Sequence, residues 1–468
     1  MKILTTDKIK LDILFYFVLL IIGFIIMQYS PVFFNKFEPD SNSYINYDPV
    51  RTTLYPIIID LLEKDNEKNF NNLIFFQTFF LLISIIFLIF SLKTLNVNFF
   101  FLILIFFLIF FNFYYTSFAK VILTEAIFFG FLNFSFGLLF LKKYLLESKT
   151  LCLLFGFFIG GVIAIKSIGI LVALLLFFVL IKRDFYKNKK YILITLIGTT
   201  LLPVIENIIY YSKYEERKSV FSRSLTGKIF MLSGKKGFDP NIFNKKYQKF
   251  ITIFSQESRE VHLFLDKIEN PFLIANLKAD YETVGQYQFD AKINEFKSEY
   301  RLEDFEIFVG KLSIEVIKNY PFEYFKMILW HYLGLWSPGS KQLLLNDIIS
   351  TSIPYQKMLE TSSGKMLEIN KSLMILVNLF FLILFLIFTI ITFKSFYNFF
   401  FDSKNKNTII DILILICQIY LLAISMTNIA TPRYFMPIFP IVLISVLWHI
   451  NVFFNLSLTK KDNNVEIS

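Results

Sequence analysis

Charged side chains are scarce in this sequence. Asp, Glu, Lys and Arg make up 18% of its 468 residues, whereas hydrophobic residues make up 55%. A water-soluble protein of this length needs more charge to cover its surface, and it would have to bury nearly all of its apolar side chains. The composition therefore argues against a soluble domain. The 61 Phe residues fit a protein whose surface faces lipid.

Cysteine and histidine are also rare. The two cysteines, Cys152 and Cys417, lie in apolar stretches and indicate no disulfide framework. The three histidines, His262, His331 and His449, are far apart, and none belongs to an HxxxH or HExxH pair. No metal-binding motif can be identified from these residues, and we predict no specific cofactor. The sequence neither supports nor opposes the use of a divalent metal ion.

Several catalytic and binding motifs are missing. The sequence has no GxSxG or Cys–His signature of a hydrolase and no Gly-rich loop that would hold a nucleotide phosphate. It has no nucleic-acid-binding motif that would explain the net charge of +10. It also lacks the internal repeat from which many transporters are built.

The sequence instead contains many apolar stretches of about 20 residues, the length that crosses a bilayer core. We predict an all-α integral membrane protein of about ten transmembrane helices, with a mostly helical extracytoplasmic domain between spans 7 and 8. The predicted spans are Leu11–Tyr29, Leu73–Leu92, Phe99–Phe113, Ile122–Leu141, Leu151–Ile165, Ile168–Ile181, Tyr191–Tyr211, Leu373–Phe393, Ile409–Met426 and Phe435–Phe454.

This pattern predicts four parts. They are an N-terminal membrane domain at 1–211 with a catalytic first outer loop at 30–70, an extracytoplasmic loop domain at 212–371, C-terminal membrane helices at 372–455 and a cytoplasmic tail at 456–468. In the loop domain, Glu303–Lys318 is typical of a helix, and Pro321 is expected to open another helix that lies along the membrane interface.

Basic residues collect in every second connection between the predicted spans. Because cytoplasmic loops carry an excess of Lys and Arg, this asymmetry predicts a cytoplasmic N-terminus. It also places the first loop, the second outer turn and the long segment outside. We expect a multi-pass protein of a bacterial inner (plasma) membrane. The residues on the inner side are Lys93, Lys142, Lys143, Lys149, Lys182, Arg183, Lys187, Lys189, Lys190, Lys394, Lys404, Lys406, Lys460 and Lys461.

The first outer loop concentrates polar groups directly after the first span. It contains Asp40, Tyr44, Arg51 and Tyr55 within Glu38–Pro56. A carboxylate at the membrane surface is well suited to remove a proton from an acceptor hydroxyl. The alternative is that Asp40 only caps a short helix.

Two further outer turns hold ionisable groups. Glu125 falls within the first turn of a predicted span, where an ionisable residue is a functional hypothesis. Alternatively, Glu125 complements the positive helix N-terminus or forms an ion pair with Lys120. Lys166, in the turn KSIG, either faces a phosphate or extends to the membrane interface.

The last outer turn places Arg433 beside Tyr434 at the mouth of the final span. The planar guanidinium of arginine donates two parallel hydrogen bonds to phosphate. An interfacial Arg–Tyr anchor is the alternative. The nearby Pro432, Pro437 and Pro440 favour a shaped helix entrance.

These stretches together resemble the polytopic GT-C glycosyltransferases, which include protein O-mannosyltransferases, aminoarabinose transferases of lipid A and related lipopolysaccharide sugar transferases. PDSNSY with RTTLYP resembles the first outer loop of that family, and LTEAIFF resembles the opening of its fourth span. IKSIGILVALL is similar to a turn that often reads Arg-Pro-x-Gly, and PRYFMPIFP to a late Pro-Arg-Tyr motif. IKNYPFEYFKMILWHYLGLW, which contains His331, resembles an Asn/His-Pro-x-x-Tyr helix of bacterial members.

The resemblance implies inverting transfer of a sugar from a polyprenyl-phosphate donor to a glycolipid, glycan or protein acceptor. It makes Asp40 the base, and Glu125 the second catalytic residue that orients the sugar or acceptor. The implied substrate-binding residues are Tyr44, Arg51, Tyr55, Lys120, Lys166, His331, Arg433 and Tyr434. The chain departs from the family by lacking a second carboxylate in Tyr114–Val121 and by having Lys166-Ser167 in place of Arg-Pro.

Two other functions fit a polytopic protein. A lipid or glycan transporter is expected to have charged residues in the middle of its spans. A polysaccharide polymerase or ligase is expected to use arginines of a large outer loop, and Arg217, Arg223, Arg259 and Arg301 fall within the long segment.

Overall fold

The computed structural model describes residues 6–30, 32, 36–38, 40–63, 69–95, 97–145, 147–183, 189–217, 221–266, 305–336, 371–401, 409–427 and 431–465. Within these ranges the regular elements are helices, as the all-α prediction requires. The α-helices are α1 Thr6–Tyr29, α2 Ser41–Ile45, α3 Leu54–Leu62, α4 Asn71–Leu92, α5 Phe99–Phe110, α6 Phe113–Ser117, α7 Glu125–Phe140, α8 Lys142–Leu145, α9 Lys149–Ile165, α10 Gly169–Arg183, α11 Lys189–Lys213, α12 Phe221–Ser233, α13 Lys245–Leu265, α14 Phe305–Asn319, α15 Pro321–Leu335, α16 Lys371–Phe400, α17 Ile409–Thr427 and α18 Phe439–Val465.

Six stretches of helix in the described residues are long and apolar enough to cross a membrane, so the chain has the character of a multi-pass membrane protein. The number becomes seven if α5 and the bent segment Phe113–Lys120, at 56° to it, form one span. The six are Leu11–Tyr29, Asn71–Leu95, Lys190–Lys213, Leu376–Phe400, Ile409–Thr427 and Met436–Phe453.

The apolar helices α7 and α9 are shorter, at 16 and 17 residues. At a rise of 1.5 Å per residue they measure about 25 Å, less than the thickness of about 30 Å of a bilayer core. The count of ten spans, the four-part division and the orientation stay predictions.

The described residues fall into two compact units. The first comprises Met1–Arg217, Ile387–Cys417 and Met436–Ser468, and the second comprises Lys218–Leu386 and Gln418–Phe435.

Helices α9 and α11 pack closely in the first unit, because glycines bring their backbones together. A Cβ atom on Gly156 would lie 2.1 Å from the carbonyl oxygen of Thr195, and one on Gly160 would lie 2.6 Å from that of Thr199. In the facing helix, a Cβ on Gly198 would lie 2.4 Å from the Leu153 oxygen. Small residues spaced four apart allow close van der Waals packing of the two helices. Such packing stabilises helix pairs within lipid, where the hydrophobic effect does not drive association.

The turn at Lys166 is confirmed. Lys166 ends α9 in an extended conformation, with φ −151° and ψ 128°. The Lys166 carbonyl accepts a hydrogen bond of 2.8 Å from the Gly169 amide, and α10 begins at this glycine. A side chain at Gly169 would meet the Val162 carbonyl, so the tight turn requires glycine.

The second unit has an aromatic core in which rings of α12, α13 and α14 meet, such as Phe230 with Phe254 and Phe250 with Phe308.

The predicted helix at Glu303–Lys318 is confirmed over the described residues as α14. The predicted start at Pro321 is also confirmed, since this proline occupies the first turn of α15. Proline suits this position because its missing N–H is not needed there.

Candidate functional site

The first loop contains an ion pair that is partly open to solvent. A guanidinium nitrogen of Arg51 donates a 2.6 Å hydrogen bond to Asp40 Oδ1, and the two side chains are 28% and 27% exposed. The Arg51 Nε also donates to Ser43 Oγ at 2.9 Å. Asp40 precedes α2, but its side chain makes no capping hydrogen bond, so it holds Arg51 instead of the helix start.

A second ion pair joins Glu125 to Lys166. Lys166 Nζ donates a 2.8 Å hydrogen bond to Glu125 Oε1, and the carboxylate side chain is only 4% exposed whereas that of Lys166 is 18% exposed. Thr124 Oγ1 donates to the other carboxylate oxygen at 3.3 Å. The ammonium also lies 5.9 Å from the centre of the Phe128 ring. The predicted position of Glu125 at a helix N-terminus is confirmed, and its ionic partner is Lys166.

Tyr44 brings the two ion pairs into one site. Its ring is buried, and the Arg51 guanidinium lies 4.9 Å from the ring centre. Burial raises the pKa of the Tyr44 hydroxyl, Arg51 and Lys166 counteract that rise, and Glu125 and Asp40 add to it. All four charged groups therefore act on the same hydroxyl, which stays a neutral donor at physiological pH.

Tyr55 packs against Tyr44. The two rings meet edge to face, with their centres 5.3 Å apart. Burial raises the pKa of Tyr55 well above its usual value, with Tyr44 and Glu125 adding to the rise. Its hydroxyl donates 2.5 Å to Gln77 Oε1, and the Gln77 amide donates in turn to the carbonyls of Ala119 and Val121. This buried network fixes the ring of Tyr55, and the role of Tyr55 in substrate binding stays a prediction.

Two side chains of the first loop tie it to the segments that carry the second ion pair. Ser41 Oγ donates 2.9 Å to the Ile122 carbonyl, three residues before Glu125. Thr52 Oγ1 donates 2.8 Å to the Ile165 carbonyl, immediately before Lys166. These bonds bring together residues that are distant in sequence.

A third tie was missed by the sequence analysis. The Thr53 amide donates 3.0 Å to Glu206 Oε1, and the Thr53 hydroxyl donates 3.1 Å to the Glu206 carbonyl. The other Glu206 carboxylate oxygen accepts a 2.5 Å bond from Arg217. Glu206 is buried within a predicted span, which is the signal that could have identified it.

Lys120 has a different position from the other predicted cations. Its ammonium donates to the carbonyls of Gln28 and Ser30, at 2.9 and 3.0 Å. The last carbonyls of a helix have no partner within it, so Lys120 satisfies the end of α1. The structure places Glu125 with Lys166, not with Lys120.

Arg433, Tyr434 and His331 belong to the second unit. The Arg433 guanidinium carbon lies 5.2 Å from the centre of the Tyr434 ring, as an Arg–Tyr anchor requires. His331 is completely buried, and its Nδ1 lies 2.9 Å from Lys228 Nζ. Their predicted roles in substrate binding stay predictions.

No protein-family model, curated protein or solved structure matches the chain. Within the described ranges, no group of three His, Cys, Asp or Glu side chains is arranged to hold a metal ion.

Proposed function

We propose that this protein is a membrane glycosyltransferase. It moves a sugar from a polyprenyl-phosphate-linked donor to a hydroxyl group of a glycolipid, glycan or protein, with inversion, at the extracytoplasmic face. The observation that carries the proposal is the convergence of two carboxylate–cation pairs on the Tyr44 hydroxyl. A site of this composition provides both a base and cations that can bind phosphate.

Asp40 is the proposed base, because its carboxylate is 27% exposed and is the more accessible of the two carboxylates of the site. It accepts the proton of the acceptor hydroxyl as that oxygen attacks the anomeric carbon. The bond from this carbon to the phosphate oxygen breaks, and the phosphate leaves with the bonding electron pair. The products are the glycosylated acceptor, the lipid phosphate and a protonated Asp40.

Arg51 and Lys166 are the proposed phosphate ligands. Both cations are pre-positioned by carboxylates, so they need little reorganisation when negative charge develops on the leaving oxygen. Glu125 is nearly inaccessible, so it is best suited to orient Lys166. Tyr44 supplies a neutral hydroxyl donor within the electrostatic reach of both cations. The role of Arg433 in phosphate binding is left as a prediction from the sequence.

The proposal is tested with purified full-length protein in detergent, radiolabelled polyprenyl-phosphate sugars and total membrane lipids. We expect label to move to a new acceptor with the wild-type protein, and transfer to stop with Asp40→Asn. A single-sugar product would separate a transferase from a polymerase, which makes a chain of repeats. Absence of transfer from every donor, with the protein folded, would refute the proposal.

A further inference from the structure

Helix α15 follows the second half of α17, which is one of the six stretches long and apolar enough to cross a membrane. The Tyr324 hydroxyl donates 2.5 Å to the Met426 carbonyl, and the Tyr332 hydroxyl donates 2.6 Å to Gln418 Oε1. All four residues belong to the second unit. The two tyrosines are eight positions apart, and so are their partners, in the opposite chain direction. The helices therefore run antiparallel and in register over about 12 Å, at a rise of 1.5 Å per residue.

The partners of the two tyrosines differ in depth. Met426 is the last residue but one of the candidate span Ile409–Thr427, whereas Gln418 is its middle residue. A helix of 19 residues is about 28 Å long, close to the thickness of a bilayer core, about 30 Å. The register therefore matches Tyr332 to the middle of that span and Tyr324 to its end. A helix lying flat in the membrane interface, the position expected from the sequence, would keep one depth against α17.

One face of α15 is apolar and exposed. Phe322, Phe325 and Leu329 are 66%, 54% and 46% exposed. Their spacing of three and four positions places them on the same side of the helix, one above the other. Past Lys326 the helix contains no Asp, Glu, Lys or Arg. This surface has the composition of one that faces lipid.

Lys326 is directed toward the beginning of the helix. Its ammonium donates 3.1 Å to Glu323 Oε1 and lies 4.5 Å from the centre of the Phe322 ring. Both partners are one turn closer to Pro321, on the side of α15 that corresponds to the end of α17. A lysine within a membrane helix extends its charge toward the nearer surface in this way.

The C-terminal end of α15 is covered by protein. Gly334, Leu335 and Trp336 are buried. The Trp336 ring contacts Phe385 of α16, with the ring centres 5.3 Å apart, and the Trp336 amide donates 3.1 Å to the Leu333 carbonyl. A helix can end at membrane depth only where protein shields its last backbone groups from lipid. The end of α15 meets that condition.

Polar groups at the same depth also face protein. His331 is completely buried, and its Nδ1 lies 2.9 Å from the ammonium of Lys228, which is 1% exposed. Lys228 belongs to α12, and Lys235 after this helix pairs with Glu323 in the first turn of α15. The two contacts show that α12 runs antiparallel to α15. Ionisable residues within a membrane are placed in this way, toward other helices.

We propose that α15 is embedded in one leaflet of the membrane. It enters at Pro321, at the surface where α17 ends, and it stops near the bilayer middle. The exposed stripe of Phe322, Phe325 and Leu329 contacts the acyl chains of that leaflet. This surface lies outside the two carboxylate–cation pairs around Tyr44, and the proposal does not depend on glycosyl transfer.

The test measures the depth of single labelled cysteines in the full-length protein, reconstituted in phosphatidylcholine vesicles. Phe322→Cys, Phe325→Cys and Leu329→Cys each carry a bimane fluorophore. The quenchers are phosphatidylcholines with a nitroxide near the head group or near the end of the acyl chain. Wild-type protein treated with the same label is the blank, because Cys152 and Cys417 are buried.

Helix α17 offers matched controls. By the register of the two tyrosine bonds, Leu422 lies within one residue of the level of Leu329, and Met426 within one residue of that of Phe325. Both control side chains are 44% exposed. We expect the labels at Leu329→Cys and Leu422→Cys to share one depth. The labels at Phe325→Cys and Met426→Cys should lie about 6 Å nearer the surface, the rise of four helical residues.

Equal depths at the three positions of α15 would overturn the proposal, because they would show a helix parallel to the membrane surface. Stronger quenching by aqueous iodide at Leu329→Cys than at Leu422→Cys would overturn it as well, since α15 would then lie in water. A label at Met426→Cys no shallower than one at Leu422→Cys would remove the span on which the depth assignment rests.

Discussion

Glu125 Oε1 and Lys166 Nζ lie 2.8 Å apart although 41 positions separate these residues in the sequence. The pair joins the first residue of α7 to the turn after α9, and the carboxylate is almost fully buried. Such a pair is costly to break, because removal of one partner leaves the other charge desolvated.

We expect Glu125→Gln to lower the free energy of unfolding by about 2 kcal/mol, since Lys166 retains some access to solvent. Lys166→Met should cost about 3 kcal/mol, because it isolates the more buried carboxylate. The double variant should cost at least 1 kcal/mol less than the sum, roughly the coupling of a contacting pair. Unfolding in detergent checks this, and additive losses would show that the two groups do not interact.

The tie between Glu206 and the first loop gives a second prediction. Glu206→Ala removes the acceptors for the Thr53 amide and Arg217, so it should cost about 2 kcal/mol and loosen residues 40–63. Limited proteolysis should then cleave this loop faster. Glu215→Gln is the control, because this exposed carboxylate lies nine positions after Glu206 in the sequence, and it should behave as wild type. Unchanged cleavage in Glu206→Ala would contradict the role of this tie.

The close approach of α9 and α11 gives a third prediction. A methyl group in Gly156→Ala would overlap backbone atoms of Thr195 and Thr199, which cannot rotate away. We expect a loss of about 3 kcal/mol in unfolding free energy, at the upper end of overpacking effects. Leu154→Ala, at a 40% exposed position of the same helix, should change stability much less. Equal losses would show that backbone contact is not the cause.

The pKa of Glu323 gives a pH dependence. The hydrogen bond from Lys235 lowers this pKa in the folded state. The ion pair therefore stabilises the folded protein fully at pH values above 4.5, the ordinary pKa of the carboxyl group. It is lost as the pH falls through the lower folded value. Melting temperatures recorded below pH 4.5 should therefore decline less steeply for Glu323→Gln than for the wild type. Lys235→Gln should flatten the decline more than Lys326→Gln, and the reverse order would contradict the assignment.

Parts of this architecture follow from local sequence signals. The turn at Lys166 and the start of α15 at Pro321 are confirmed, because glycine permits a close backbone approach and proline fixes the backbone angle of a first helical turn. The ionic partner of Glu125 could not be predicted from the sequence, since Lys120 is nearer in sequence than Lys166. Hydrogen bonds from Ser41 and Thr52 of the first loop bring the segments of Glu125 and Lys166 together. A hydroxyl side chain that binds a distant backbone carbonyl produces no periodic pattern in the sequence.

The start of the fourth predicted span was placed too early for a related reason. The predicted span Ile122–Leu141 includes Ile122 and Thr124, whereas α7 begins only at Glu125. The Ile122 backbone instead bonds outside the helix, through its amide to Lys36 and its carbonyl to Ser41. Apolar composition alone cannot show that a hydrophobic residue uses its backbone in a loop contact.

The account depends most directly on Asp40 as the base that accepts the acceptor proton. Asp60 is the matched control, because its carboxylate accepts a 2.6 Å bond from Tyr47 in the same region and has no proposed role in catalysis. The measurement is kcat and KM for transfer from the best polyprenyl-phosphate donor, with wild type, Asp40→Asn and Asp60→Asn. Loss of a general base should lower kcat roughly 10²- to 10⁴-fold in Asp40→Asn and leave KM for the donor within a few-fold, whereas Asp60→Asn should match wild type. A kcat near the wild-type value in Asp40→Asn, or an equal fall in Asp60→Asn, would contradict the account.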